Sequence, residues 1–204
     1  MSGPTSKVIA VVLAAGASSR MGANKMLLRL GPESLVRRVT RTVLEAGFDE
    51  VWVVVGRGSA QVAAEVAGLG VRVVENPRYL EGMGTSFRAA AEAFPPGLEA
   101  ALFALGDQPF VQAEHYRAVL EAYRAHRPPL VLSRFGPVHA PPHLFRDDLF
   151  PGLLELHDEG ARSIVARHKA EAVTVDLPED ALFDVDTPEE YRRALERVSR
   201  SSEG

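Results

Sequence analysis

The chain has 204 residues, a formal net charge of −4 and no cysteine. Its length suits one domain with a sizeable core. The charge balance leaves no basic footprint for nucleic acid, and the lack of thiols excludes disulfides, thiolate metal sites and cysteine nucleophiles. Residues 1–7 show no charged-then-apolar signal pattern, and no apolar run reaches membrane-spanning length. A cytoplasmic protein is therefore expected, with neither nucleic acid nor membrane among its partners.

In chain order, the first apolar run is residues 8–13, which reads as a fully buried β-strand. The stretch Leu13-Ala14-Ala15-Gly16-Ala17-Ser18-Ser19-Arg20-Met21-Gly22-Ala23-Asn24-Lys25 follows at its carboxyl end, where open α/β sheets bind ligands. Small residues let backbone approach a ligand, and successive N–H groups form an anion-binding nest. Arg20 and Lys25 add two cations, so this loop suits a triphosphate. It matches neither the P-loop pattern nor the dinucleotide fingerprint.

Further strands are expected over residues 51–55, 71–74, 100–105, 130–132 and 172–177. Helical spacing falls between them, over 34–47, 59–68, 85–94 and 112–126. Phe87, Ala90, Ala91 and Phe94 share one helical face, as do Tyr116, Val119, Leu120 and Tyr123. Alternating β and α segments with continuously apolar strands predict an α/β fold. It is a three-layer αβα sandwich with a mostly parallel, twisted, Rossmann-like sheet. One domain spans 1–200, with a frayed tail at 201–204. Residues 134–151, rich in Pro and His, break the alternation and read as an excursion over the site that carries an antiparallel strand.

Between these elements lie the chemistry-bearing segments. Gly82-Met83-Gly84-Thr85-Ser86 precedes a helix; its glycines permit a turn under a flat ligand, and the helix start offers free N–H donors. A plain loop-to-helix entry capped by Thr85 or Ser86 fits the segment equally well. Gly106-Asp107-Gln108-Pro109 directly follows a strand, which places Asp107 in the ligand crevice; alone it fits a Mg²⁺ ligand or a cap for the helix that starts near Gln112 equally well, and the first loop favours the metal. Asp184-Val185-Asp186, if extended, puts both carboxylates on one face, where a divalent cation would offset their repulsion. Asp186, nearer the next helix, is the first choice as ligand; the alternative is that it only supports that helix's N-terminus beside Thr187. Thr187-Pro188-Glu189-Glu190 is a capping box, and Tyr191, Ala194, Leu195 and Val198 continue as an amphipathic helix. On that helix Arg192, Arg193, Arg197 and Arg200 form a solvated face. The histidines give no credible zinc spacing, since Pro141 and Pro142 interrupt the pair His139 and His143. They read first as satisfied surface or loop histidines, with an acceptor-facing role for His139 and His143 as the alternative.

The combination L-A-A-G-x-S-x-R-M-G-x-x-K, with G-D-Q-P and D-V-D-T-P-E-E in this order, resembles the molybdenum cofactor cytidylyltransferase branch of the molybdopterin nucleotidyltransferase (MobA-like NTP transferase) family. The likeness runs from about Val8 to Leu195. It implies a nucleotidyltransferase (GT-A-like) fold. It also implies transfer of a nucleoside monophosphate to the terminal phosphate of a molybdopterin-type acceptor, with release of pyrophosphate. By the same resemblance, Leu13, Ala14, Ala15 and Gly16 hold base and ribose, and Arg20 and Lys25 the triphosphate. Asp107 and Asp186 hold Mg²⁺, and Asn76, Gly82, Gly84 and Ser86 complete the nucleotide pocket. Lys25, Arg20 and Asp107 are the expected catalytic residues. Gly160-Ala161-Arg162 resembles the family's G-D-x-G-A-R element near the acceptor, with His157 where the motif has Gly. Many members carry G-H-P-x-L-F where this chain has Ala140-Pro141-Pro142-His143-Leu144-Phe145. A molybdoenzyme or cofactor-delivery protein is an implied partner.

CTP is preferred over GTP on this reading, because the guanylyl branch more often has A-G-G and an Asp before the Lys. An extra Cβ at Ala15 would also crowd a purine. The alternatives are GTP-using molybdopterin guanylyl transfer, cytidylyl transfer to methylerythritol phosphate (whose enzymes usually continue Pro-Lys-Gln, against Asn24-Lys25-Met26 here), sugar-phosphate nucleotidyl transfer, and a nucleotide-binding regulator without turnover.

Overall fold

The computed structural model describes residues 7–16, 24–56 and 58–201. β1 (Lys7–Ala14) leads to a short hairpin, β2 (Arg29–Leu30) and β3 (Glu33–Ser34). Then come α1 (Leu35–Leu44), β4 (Glu50–Val55), α2 (Ser59–Val66), β5 (Arg72–Glu75), α3 (Gly84–Glu92), β6 (Leu98–Leu105) and α4 (Ala113–His126). The remainder is β7 (Leu130–Phe135), β8 (Val138–His139), β9 (His143–Arg146), α5 (Phe150–Leu154), α6 (Arg162–His168), β10 (Val173–Leu177) and α7 (Pro188–Ser201).

One sheet carries the fold, in the order β10-β7-β9-β6-β1-β4-β5, with β8 paired to β7. β1 pairs in parallel with β4 and β6, β4 with β5, and β10 with β7. β9 is antiparallel to both its neighbours, β6 and β7. The Pro- and His-rich excursion thus does carry an antiparallel strand, and that strand is wedged into the middle of the sheet.

β1 is apolar throughout because both its faces are covered. Val8, Ala10, Val12 and Ala14 pack with Val36 and Val39 of α1 and Tyr116 and Leu120 of α4. Ile9, Val11 and Leu13 pack on the other side with Phe87 and Ala90 of α3, Leu153 of α5 and Ile164 of α6. This is the expected three-layer sandwich. A smaller cluster, Leu30, Leu35, Phe110, Val185 and Ala194, docks α7 beside the hairpin. That docking brings the Asp184-Val185-Asp186 segment to the sheet edge where β1 and β6 end. Among the described residues no helix is long and apolar enough to cross a membrane.

His143 does not face an acceptor. It is buried in β9, with its Nδ1 3.3 Å from the Ser133 N–H. Burial pushes its pKa from 6.5 down to about 4. A ring neutral in the fold but protonated in the unfolded chain costs stability only in acid. Its contribution is whole above pH 6.5 and is lost as the pH falls from 6.5 towards 4. We expect about 1.4 kcal/mol of stability to go per pH unit across that window. In urea unfolding at pH 7 and pH 4.5, His143→Gln should lose less stability on acidification than the native chain. Equal losses would show that this ring does not set the acid limit.

Candidate active site

The site is assembled at the carboxyl ends of β1 and β6. β1 ends at Ala14, and Ala15 and Gly16 follow. Arg20, with Ser18 and Ser19, lies outside the described residues. The chain returns at Asn24, whose side chain accepts from the Met26 N–H at 3.1 Å and so caps the 3-10 turn Lys25–Leu27. That turn sends Met26 into the core and turns Lys25 inward, leaving it only 7% exposed.

A lysine so buried needs anionic partners. Lys25 Nζ donates to Asp107 Oδ2 and to Asp186 Oδ1, each at 2.5 Å. Burial pulls the ammonium's pKa down, but the two carboxylates outweigh it and hold Lys25 above its ordinary value. Asp107 is placed by β6. The Gly106 N–H donates to the Leu13 carbonyl at 2.9 Å, and a Cβ at Gly106 would stand 3.0 Å from Met26 Sδ and 3.1 Å from that carbonyl oxygen. Glycine is what lets the end of β6 close on β1.

The third segment is pinned twice. The Val185 N–H donates to the Asp107 carbonyl at 3.0 Å, and Gln108 Nε2 donates to Asp184 Oδ1 at 2.9 Å. Val185 is fully buried while both flanking carboxylates reach the crevice, as alternation requires. The capping box then fixes Asp186. Glu190 Oε2 accepts from the backbone N–H groups of Asp186 (2.9 Å) and Thr187 (2.8 Å), and Thr187 Oγ1 accepts from the Glu190 N–H at 3.2 Å. Asp184 touches solvent, yet the walls of the crevice and then the Asp107 charge raise its carboxyl above the usual value, against the Gln108 hydrogen bond.

Lys25, Asp107 and Asp186 therefore meet, with Asp184 beside them. Gln108 is a site residue that sequence reasoning passed over, although it sits inside G-D-Q-P. It is 1% exposed, and its amide adds a side-chain link between the two acidic segments.

The remaining expected residues form a second group. Asn76, after β5, is buried; its Nδ2 donates to Thr85 Oγ1 (2.8 Å) and Ser86 Oγ (3.0 Å), and its Oδ1 accepts from the Arg78 N–H (2.9 Å). These side chains tie the segment to the start of α3. Gly82 and Gly84 make room for the chain itself: a Cβ on Gly82 would stand 2.4 Å from Asp158 Cα, and one on Gly84 2.4 Å from the His157 carbonyl oxygen. No local signal marks that long-range contact. The Ala15 methyl is 3% exposed and packs in the core with the α3 side chains.

Does this chemistry fit a divalent cation? Asp107 Oδ1 is buried and has no hydrogen-bond partner among the described residues. Carboxylate oxygens are the donors Mg²⁺ and Mn²⁺ favour. Yet no group of three or more His, Cys, Asp or Glu side chains with metal-site geometry occurs among the described residues. The residues fit a cation held by one or two carboxylates and completed by substrate phosphates.

A mostly parallel sheet, with a lysine and carboxylates gathered at the carboxyl ends of β1 and β6, defines a nucleotide-handling α/β enzyme. The chain belongs to the MobA-like NTP transferase family, whose domain model matches residues 10–173, and is accordingly of the nucleotidyltransferase class. It is 31% identical over 205 residues to purine catabolism protein PucB of Bacillus subtilis, covering 92% of this chain and 97% of that one. Nicotine blue oxidoreductase of Paenarthrobacter nicotinovorans is 30% identical over 202 residues, covering 92% and 96%. Among solved structures, Rv0371c of Mycobacterium tuberculosis superposes with a TM-score of 0.83 at 30% identity, covering 94% of this chain and 98% of that one. A manganese complex of that protein has a TM-score of 0.77 at 27% identity, with the same coverage.

Proposed function

We propose that this protein transfers CMP from CTP to the terminal phosphate of a molybdopterin-type acceptor. The observation that carries the reading is Lys25 held between Asp107 and Asp186 at the carboxyl ends of β1 and β6. An oxygen of the acceptor phosphate attacks the α-phosphorus. A new P–O bond forms, the bond to the β-phosphate breaks, and pyrophosphate leaves with the electron pair. No general base is required, because a phosphate monoester is already ionised near neutral pH. The obstacle is charge, since two anions must approach and more charge develops on the leaving group.

Lys25 and Arg20 bind the triphosphate and offset that charge. The end of β1 and the residues that follow it, Leu13, Ala14, Ala15 and Gly16, approach base and ribose through backbone, with Asn76 and Ser86 framing the other side. Asp107 and Asp186 would hold Mg²⁺, which when bound polarises phosphate oxygens as a Lewis acid. With the Ala15 methyl buried, the preference for CTP rests on the resemblance of the Ala14-Ala15-Gly16 and Asn24-Lys25-Met26 segments, and base discrimination falls to backbone hydrogen bonds. The relatives' names describe purine catabolism and nicotine blue chemistry, so the acceptor is what an assay must establish. A cytoplasmic protein that hands its product to a molybdoenzyme or delivery protein fits the reading.

Pyrophosphate release with CTP and GTP tests it, against a molybdopterin-type acceptor, methylerythritol phosphate and a sugar 1-phosphate. We expect kcat/KM to favour CTP by about tenfold or more with the molybdopterin-type acceptor. A ratio near one, or one favouring GTP, refutes the nucleotide assignment. Turnover only with another acceptor refutes the substrate, and binding with no turnover for any pair leaves a regulator.

A further inference from the structure

We infer that one internal water sits beneath Asp107, donating to Asp107 Oδ1 and Gln108 Oε1 and accepting from the Tyr116 hydroxyl, and that Tyr116 is, through it, a positioning residue for Asp107. This rests on the reading of Asp107 as a metal-holding carboxylate and adds to it the support that fixes the carboxylate from the core side.

Three buried oxygens support it. Asp107 Oδ1, Gln108 Oε1 and the Tyr116 hydroxyl are each sealed from solvent, and none has a hydrogen-bond partner among the described residues. Buried polar atoms are normally paired, with protein or with ordered water. The fold gathers these three. Asp107 and Gln108 are consecutive at the end of β6. Gln108 Nε2 is committed to Asp184 Oδ1 at 2.9 Å, which leaves Oε1 as the open end of the amide. Tyr116 lies in the first turn of α4, whose N-cap Gln112 is four residues beyond Gln108, and it is fully buried. The Asp107 charge reaches it: burial first, and then that carboxylate, push the phenol's pKa above its ordinary value, so the hydroxyl keeps its hydrogen.

The chemistry of the set selects water. A carboxylate oxygen and an amide oxygen only accept, so they cannot satisfy each other, while the hydroxyl hydrogen needs an acceptor. A cation would answer the two acceptors and leave the Tyr116 O–H pointing its hydrogen at a positive charge. A water brings two donors for the two acceptors and a lone pair for the hydroxyl, and about three bonds is the usual complement of a buried water. A carboxylate has about four lone-pair sites, so a water on Oδ1 leaves room for Lys25 on Oδ2 and for a cation from the crevice. Bonded at both oxygens, the Asp107 carboxylate cannot turn about its Cβ–Cγ bond.

Tyr116→Phe removes the hydroxyl and keeps the ring. If nothing bonded that hydroxyl, its loss would hold or raise Tm, since an unpaired buried group is removed. With the water in place, Tm should fall by about 3 °C. The Mn²⁺ affinity of the CTP-bound full-length protein, read from the free-ion electron paramagnetic resonance signal, should fall about tenfold. CTP affinity without metal should stay within about twofold of native, a split that a general loss of structure does not give. A high-resolution crystal structure of the native chain should show one ordered water within hydrogen-bond distance of all three oxygens, and it decides the point even if Tyr116→Phe fails to fold. A Tm that holds or rises, a native Mn²⁺ affinity, or no such water each overturns the inference. Asp107→Asn separates it from the reading beneath it. Native Mn²⁺ affinity in Asp107→Asn removes the metal-holding role itself. Weakened Mn²⁺ binding in Asp107→Asn beside a native Tyr116→Phe removes only the water link.

Discussion

Asp107→Asn is expected to lower turnover about a thousandfold, some 4 kcal/mol of barrier, while the fold survives. The amide is isosteric and keeps the backbone link from Asp107 to Val185, so the third segment stays attached. What it loses is the charge that holds Lys25 and one of the two oxygens: with the amide oxygen kept on Lys25, an NH2 takes the buried Oδ1 position that no described residue satisfies. Asp107 and Lys25 are largely buried, but Lys25 keeps Asp186, so the loss to stability is about 1 kcal/mol, a few degrees in Tm. Steady-state rates across a Mg²⁺ series, with a thermal melt alongside, separate the two effects. Near-native turnover at ordinary Mg²⁺ would remove Asp107 from the site. A collapse of Tm would make the loss of turnover a folding defect.

Legibility in the sequence followed the range of the interactions involved. β1 was readable because burial on both faces leaves an unbroken apolar run. The capping box of Thr187 and Glu190 was readable because its partners are three residues apart, and its effect on Asp186 is equally local. Asp107 was readable from its place after a strand. Elements without a local signature stayed hidden. The hairpin β2–β3 has two residues per arm, turning at Gly31, and α5 and α6 have 5 and 7 residues, too short for helical periodicity to register. β9 could be suspected, but its insertion between β6 and β7 is a choice of partners far apart in sequence, on which periodicity is silent. His143 shows the same limit. Read beside two prolines it looks like a loop residue, and only the pairing of β9 makes it a core histidine.

The glycines before α3 give the sharpest contrast between a motif and its cause, and the second large effect. In sequence, Gly82 and Gly84 suggest room for a flat ligand. In the fold, a Cβ on Gly84 would stand 2.4 Å from the carbonyl oxygen of His157 and 2.7 Å from that residue's backbone N and C. No side-chain rotation relieves a clash with backbone, so Gly84→Ala must push the His157-Asp158-Glu159 segment away from α3. We expect it to cost about 2–3 kcal/mol and to lower Tm by about 5–10 °C. Gly82→Ala should be no milder, since its φ of +124° disfavours a side chain and its Cβ would meet Asp158 Cα. Gly152→Ala is the control. Its Cβ would meet side chains rather than backbone, those of Ile164 (3.3 Å at the tip) and Arg167 (4.0 Å), and alanine favours the helix, so Tm should hold or rise. The displaced segment runs directly into Gly160-Ala161-Arg162, the element likened to the acceptor side. Gly84→Ala should therefore raise KM for the acceptor more than KM for the nucleotide. A variant with native Tm and native kinetics would show that the two segments do not pack as described. One that loses nucleotide affinity first would put the glycines back under the base.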